Sequence, residues 1–246
     1  MYRCYPKRKK SGGVRQIEEP FPILKNAQRK LCHLFLNGIP IHDCLHGHKG
    51  TSQISAAKNH VRQPIVIAMD IQNFFPSVRK GMINRALLSN GMNAAMSDRV
   101  CRLTTRKNRL PQGAPTSPVL ARIVISPVLI RIENMLSNIS LNCRFAMFVD
   151  DLSLSGPEGL RRAIPLIVRI FKQNGFNFRP EKTKVMKGSD EKEVLGIRVN
   201  ERLEPGAEFR LKLDLARRDR KTSPDRRRAL EAWRRKLITS GVSVSK

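Results

Sequence analysis

The sequence predicts an α+β fold, in which short strands and hairpins alternate with helices. An apolar, β-branched run at 65–69 is typical of a buried strand. The strand-like runs 144–149 and 152–156 are joined by two residues, which predicts a hairpin. The stretches 24–36 and 118–136 carry apolar residues at helical spacing and predict two helices.

Glycine and asparagine mark the ends of the first elements. Gly12-Gly13 lies between two alternating stretches and predicts the tip of a hairpin. The first long helix is expected to end at Asn37-Gly38. The buried strand delivers Asp70 at its end, and a helix follows that reaches Asn90-Gly91.

Proline, serine and glycine mark the ends of the elements in the second half of the chain as well. Pro118 suits the first turn of the second long helix, and Ser126-Pro127 predicts a kink within it. A helix over 159–174 is expected to end before Gly175. A last helix starts at Ser223, and Leu230, Trp233 and Leu237 are expected to form one apolar stripe along it. Short strands are expected near 176–178, 185 and 194–200.

Composition indicates a negatively charged partner. The 246 residues include 47 Lys and Arg against 20 Asp and Glu, a formal charge of +27. Such a surface attracts nucleic acid, and an anionic membrane is the competing partner. No apolar run approaches the roughly 20 residues that span a bilayer, and the N-terminus lacks the apolar segment of a signal peptide. Five scattered cysteines favour a reduced, cytoplasmic protein.

Three aspartates are the leading candidates for chemistry. Asp70 follows one apolar strand, and Asp150-Asp151 are expected to form the tip of the 144–156 hairpin. A carboxylate beside a buried strand is costly unless it is paired or binds a metal. Converging carboxylates suit magnesium, and two such ions can support an in-line displacement at phosphorus. The alternative for each acid is a solvated turn.

A loop rich in proline and glycine lies between these acids, at 110–118. Its prolines and Gly113 fix an unusual backbone that lets a ligand approach closely. The simpler interpretation is a loop in which Thr116 or Ser117 caps the next helix.

Taken together, these motifs resemble the reverse transcriptase family, of the retron and group II intron type. The resemblance covers about 2–204. The matching blocks are, in chain order, Arg15 after Gly12-Gly13, 45–52, 68–78, 110–118, 148–151, 174–176 with 180–184, and 194–196. The chain departs from the usual pattern where Phe148 replaces a tyrosine and His48 an aromatic residue. The block 56–60 lacks the first Asn of the retron Asn-Ala-x-x-His motif, and Val194-Leu195-Gly196 replaces Val-Thr-Gly.

The resemblance implies a metal site. Asp70, Asp150 and Asp151 would hold two Mg²⁺ ions, for which Mn²⁺ could substitute, and Ile71 would lend a backbone carbonyl. Lys182 would donate a proton to pyrophosphate; a solvated lysine at a strand edge is the alternative.

The resemblance also implies a nucleotide site. Arg15, with Arg8 or a nearby lysine, would clamp the triphosphate, a task that suits the guanidinium fork. Phe75 would lie under the sugar and exclude a 2′-hydroxyl. Gln112 and Gly113 would line the nucleotide pocket.

The implied fold is a right-hand polymerase. Fingers are expected over 1–64, and a palm over 65–204, with finger helices interleaved near 78–110. A short basic thumb-like segment would occupy 205–246. The implied activity is RNA-directed DNA polymerisation from dNTPs on an RNA template and primer, linked to antiphage defence. A cognate non-coding RNA and an effector protein are possible partners, and no membrane is implied. The alternatives are a polymerase of this fold that makes RNA or works without a template, and a non-catalytic RNA-binding module.

Two further features have competing interpretations. Six residues invite a zinc site but lack standard two-plus-two spacing: Cys32, His33, His42, Cys44, His46 and His48. A C-terminal basic run favours contact with the phosphates of a primer–template duplex over a merely solvated face. Its members are Arg217, Arg218, Arg220, Lys221, Arg226, Arg227, Arg228, Arg234, Arg235 and Lys236.

Overall fold

The computed structural model describes residues 1–8, 12–139, 142–218 and 223–241. It divides into two compact units, each assembled from separate stretches of chain. The first unit contains Met1–Asp43, Ile71–Met135 and Ile167–Asn177, and the second contains Cys44–Asp70, Leu136–Leu166 and Phe178–Lys246.

Helices and strands alternate along the described chain, as the sequence predicts. The helices are α1 (Pro22–Leu34), α2 (Gln53–Lys58), α3 (Phe74–Ser77), α4 (Lys80–Ser89), α5 (Ala94–Thr104), α6 (Ser117–Asn138), α7 (Ile164–Gln173), α8 (Ala207–Arg218) and α9 (Pro224–Gly241). The strands are β1 (Tyr2–Arg8), β2 (Val14–Pro20), β3 (Leu45–His46), β4 (Ile65–Asp70), β5 (Arg144–Phe148), β6 (Asp151–Gly156), β7 (Lys184–Lys187), β8 (Glu193–Val194), β9 (Ile197–Arg198) and β10 (Glu204–Pro205). None of the described helices is both long and apolar enough to cross a bilayer.

The first unit joins the β1–β2 hairpin to a set of helices. β1 and β2 pair antiparallel, with Arg8 opposite Val14. Gly12 and Gly13 both have positive φ, at 83° and 76°, which glycine adopts readily and which confirms the predicted turn. Lys9, Lys10 and Ser11 lie outside the described residues. α6 runs through Pro127 as a single helix.

The second unit is built on a five-stranded sheet in the order β3-β5-β6-β4-β7. Its strand pairs are antiparallel except β3 with β5, which is parallel, so the sheet is mixed rather than purely antiparallel. β4 lies between two neighbours and is buried almost throughout, which explains its apolar, β-branched sequence.

A smaller sheet and the C-terminal helix complete the second unit. β8, β9 and β10 form an antiparallel sheet, and the β8–β9 turn has positive φ at Leu195 and Gly196. Leu237 of α9 is fully buried in the adjoining core, and Trp233 packs against Phe209 with ring centroids 4.2 Å apart. The apolar stripe predicted for the last helix is therefore confirmed as a packing face.

One predicted strand does not form as expected. Residues 176 and 177 lie outside any strand, and Phe178 makes a single bridge. The chain turns at Gly175 (φ 81°) directly after α7, and Phe176 is buried with only 1% exposure. The apolar residues there serve core packing rather than a sheet.

Candidate active site

Strand pairing in the second unit places two of the three aspartates side by side. Asp70 is the last residue of β4 and lies directly opposite Asp151, the first residue of β6. Opposite residues on antiparallel strands have Cα atoms about 4.5–5.5 Å apart. Asp150 lies in the adjoining turn. Sequence positions 81 residues apart thus meet at one edge of the sheet.

The hairpin tip differs by one residue from the prediction. Phe148 pairs with Asp151, so Val149 and Asp150 form the two-residue turn and Asp151 begins the second strand. Val149 has φ 59°, which is unusual for a β-branched residue. Positive φ at the first of two turn residues is typical of a type II′ hairpin turn. The prediction that both acids form the tip was therefore wrong for Asp151.

A glycine packs against this turn. β3 pairs with Met147 and Phe148, which brings Gly47 beside the hairpin. A Cβ added to Gly47 would lie 3.3 Å from Val149 Cγ2 and 3.4 Å from the Phe148 ring. Gly47 also has φ 88°, so both its conformation and its surroundings favour glycine.

Two basic side chains surround Asp70. Lys182 Nζ donates to Asp70 Oδ1 at 2.6 Å, and Arg179 Nε lies 3.3 Å from Oδ2. The Arg179 backbone N–H also donates to the Asp70 carbonyl at 2.9 Å, which fixes this segment beside the end of β4. Lys182 stands on a short 3₁₀ turn, Pro180–Lys182. Sequence reasoning named Lys182 but missed Arg179, because only the fold brings residue 179 next to residue 70.

The acids suit a divalent cation. Asp70 is buried, and its Oδ2 accepts no hydrogen bond from any residue that the structure describes. Partial desolvation and the neighbouring carboxylates raise the pKa of Asp151 to about 6 and also raise the pKa of Asp150, although water still reaches both side chains. A bound cation would relieve the repulsion between the carboxylates and could coordinate Asp70 Oδ2, which has an ion pair with Arg179 but no hydrogen bond.

The acids are not arranged as a finished metal cage. Across residues 1–8, 12–139, 142–218 and 223–241, no three His, Cys, Asp or Glu side chains already form a metal-ligand group. In the second unit Asp70 is held by Lys182 and Arg179, so a metal would compete with these cations for its oxygens.

A buried histidine lies under the strand that carries Asp151. His60 is fully buried; its Nδ1 lies 2.7 Å from Ser155 Oγ and its Nε2 lies 2.9 Å from Ser153 Oγ. Ser153 Oγ donates to the Ala146 carbonyl, so it accepts from His60 Nε2–H, and Nδ1 accepts from Ser155. Burial lowers the pKa of His60 to about 3, so the ring is neutral at physiological pH. The imidazole thereby fastens β6 to the segment after α2.

The predicted site residues divide between the two units. Asp70, Asp150, Asp151 and Lys182 lie together in the second unit. Those in the first unit are Arg8, Arg15, Ile71, Phe75, Gln112 and Gly113.

The β1–β2 register decides which basic residue accompanies Arg15. Directly opposite residues share a face of the ribbon, and Arg15 lies opposite Lys7. Arg8 lies opposite Val14 and therefore points to the other face. Of the two basic residues, Lys7 rather than Arg8 therefore shares a face of the hairpin with Arg15.

The two candidate pocket residues contact the same hairpin. Glu18 N donates to the Gln112 carbonyl at 2.7 Å. Gly113 has φ 122°, and a Cβ there would lie 3.0 Å from Ile17 Cγ2. Phe75 is half-buried on α3 with its ring centroid 5.5 Å from that of Phe74.

Several members of the C-terminal basic run are already ion-paired. Arg217 Nη2 lies 2.5 Å from Glu231 Oε1, and Arg234 lies 3.7 Å from the same carboxylate. Arg220 and Lys221 lie outside the described residues. These pairs reduce the positive charge that the run can offer to phosphates.

Comparison with solved structures identifies the class of fold. The chain is similar to apo telomerase from Candida tropicalis truncated from its C-terminal domain, with TM-score 0.59 and 14% identity over 80% of this chain and 52% of that one. It is also similar to a foamy viral protease-reverse transcriptase in complex with double-stranded DNA, with TM-score 0.54 and 18% identity over 94% of this chain and 35% of that one. The molecule has the right-hand polymerase fold that the sequence predicted.

Sequence comparison identifies the family. Residues 7–199 match the family described as reverse transcriptase (RNA-dependent DNA polymerase). The chain belongs to the reverse transcriptase family. It is 30% identical to the retron Mx65 reverse transcriptase of Myxococcus xanthus, over 83% of this chain and 52% of that protein. It is 26% identical to the retron Ec86 reverse transcriptase of Escherichia coli, over 81% of this chain and 63% of that protein. The chain spans about half the length of the curated relatives it matches.

Proposed function

We propose that this chain is an RNA-directed DNA polymerase of the retron type, adding dNTPs to a primer 3′-hydroxyl on an RNA template. The observation that carries the proposal is the direct pairing of Asp70 with Asp151, with Asp150 in the adjoining turn. A rigid sheet edge that presents three acids is suited to chemistry that needs charge neutralisation and positioning.

The acids form the proposed metal site. Asp70, Asp150 and Asp151, with the Ile71 carbonyl, would hold two Mg²⁺ ions, or Mn²⁺ in their place. Bound ions of this kind activate the attacking hydroxyl and stabilise the leaving pyrophosphate. Lys182, 2.6 Å from Asp70, is close enough to this site to serve as the proposed proton donor to pyrophosphate.

The first unit carries the proposed nucleotide site. Arg15 would bind the triphosphate together with Lys7 or Arg8, and the shared face of Arg15 and Lys7 supports the lysine. Gln112 and Gly113 would line the pocket. Phe75 would discriminate against ribonucleotides, so Phe75→Ala should raise rNTP incorporation relative to dNTP.

The wider assignments extend this proposal. Fingers over 1–64, a palm over 65–204 and a basic thumb-like segment over 205–246 are the proposed domains. RNA, an RNA/DNA duplex, a cognate non-coding RNA and an effector protein are the proposed partners, in a cytoplasmic antiphage system. Similarity to retron reverse transcriptases supports the proposed retron type.

The retron assignment is tested by sequencing the nucleic acid that copurifies with the chain, since a retron enzyme should retain its own RNA–DNA product.

The polymerase proposal is tested by primer extension. Asp150→Asn should abolish Mg²⁺-dependent DNA synthesis on an RNA template while RNA binding, measured by filter retention, persists. Asp43→Asn removes an exposed carboxylate and should leave synthesis unchanged. Undiminished synthesis by Asp150→Asn would refute the assignment.

A further inference from the structure

An ion-pair cluster around the buried Glu18 connects the β1–β2 hairpin to the candidate nucleotide pocket within the first unit. Glu18 of β2 is only 3% exposed and is ion-paired to Arg106 and, at 3.4 Å, to Arg109. A buried carboxylate is costly unless it is paired, so this contact constrains where β2 can lie.

The two arginines are presented by a tight turn. Arg106 and Arg109 exchange backbone hydrogen bonds of 2.9 and 3.1 Å across Lys107 and Asn108. Both intervening residues have positive φ, 50° and 59°, which is the pattern of a type I′ turn. The turn places Arg106 and Arg109 opposite each other, and both side chains pair with Glu18.

Backbone contacts extend this cluster directly into the pocket segment. Glu18 N donates to the Gln112 carbonyl, and Gly113 approaches Ile17 and Glu18 so closely that a Cβ would lie 3.0 Å from Ile17 Cγ2 and 3.4 Å from the Glu18 carbonyl oxygen. Arg15, the proposed triphosphate ligand, is three residues earlier on the same strand. The position of Arg15 relative to Gln112 and Gly113 is therefore set at Glu18.

We infer that Glu18 is a positioning residue for the incoming nucleotide, acting through Arg106 and Arg109. The inference rests on the proposed polymerase function. The carboxylate touches no reacting atom; it holds the triphosphate-binding strand in register with the pocket. Because a misplacement on the order of 1 Å can cost up to about a hundredfold in kcat/KM, and because Glu18 acts on the residues that bind the nucleotide, loss of this pairing should weaken nucleotide binding and raise the KM for dNTP.

The test compares two adjacent glutamates. Glu18→Gln keeps the shape of the side chain but leaves two guanidinium groups without their carboxylate. Glu19→Gln is the matched control, since Glu19 lies on the same strand, pairs with Lys25 at 2.5 Å and has a side chain 36% exposed. Steady-state primer extension should give a KM for dNTP raised about tenfold or more in Glu18→Gln, similar for all four dNTPs, with kcat and primer–template affinity little changed. Glu19→Gln should match the parent.

Arg109→Lys provides a second variant if Glu18→Gln folds poorly. It keeps the charge but loses the planar fork, so it should raise the KM for dNTP by a smaller factor. A lowered kcat and melting temperature with unchanged KM in either variant, or an equal KM change in Glu19→Gln, would overturn the inference. If the parent itself shows no extension with Mg²⁺ and dNTPs, it is the proposed function that fails instead.

Discussion

His60 offers a test of the buried network through the pH dependence of stability. In the folded chain burial lowers its pKa to about 3, against an ordinary value of 6.5. Between these values the unfolded chain binds a proton that the folded chain does not. Stability from His60 is therefore fully present above about pH 6.5 and is lost as the pH falls, by on the order of 1 kcal/mol per pH unit.

The perturbation is His60→Gln. Near pH 7.5 the variant should be less stable than the parent by about 1–3 kcal/mol, because it disturbs hydrogen bonds to Ser153 and Ser155 in a buried site. The variant has no imidazole to protonate, so its stability should fall less steeply below about pH 6.5. The two stability curves should therefore converge on acidification. His46, whose pKa burial also lowers, is present in both proteins.

The stability difference between His60→Gln and the parent is measured by thermal unfolding, followed by far-UV circular dichroism at about pH 7.5, 6.5 and 5.5. The difference in melting temperature should shrink by about 2–4 °C per pH unit below pH 6.5. His33→Gln is the control, since His33 is exposed on α1, and its curve should run parallel to that of the parent. Parallel curves for His60→Gln and the parent would refute the reasoning.

Two further predictions concern the acids and their hairpin. Gly47→Ala should lower primer extension at least tenfold, because the added methyl would displace the hairpin by a fraction of an ångström. Gly50→Ala is the control: Gly50 also has positive φ (90°), but a Cβ there would have nothing within 4 Å, so this variant should remain active. Equal losses of activity in the two variants would contradict the prediction. Lys182→Met should lower the melting temperature without Mg²⁺ and increase the gain on adding Mg²⁺, because Asp70 loses a cation at 2.6 Å. Lys184 is exposed on β7, so Lys184→Met should change neither the melting temperature nor its increase on adding Mg²⁺. An unaltered Mg²⁺ response in Lys182→Met would count against metal binding at Asp70.

Much of the fold could be predicted because its signals are local. The β-branched run of β4, the glycines at 12 and 13 and the apolar stripe of α9 each act over a few residues, and the structure confirms all three. The tip of the acidic hairpin was misplaced by one residue. Its register depends on the pairing of Phe148 with Asp151 across the strands, which periodicity cannot supply.

The sequence by itself determined which chemical groups are available: three acids next to predicted strands, a basic composition and ordered motifs of the reverse transcriptase family. Tertiary structure alone decided their partners. Arg179 beside Asp70, and Arg106 beside Glu18, are contacts between residues 109 and 88 positions apart. Side-chain types and local periodicity carry no record of such long-range pairings, because these arise only when strands and turns pack and the buried charges must be matched.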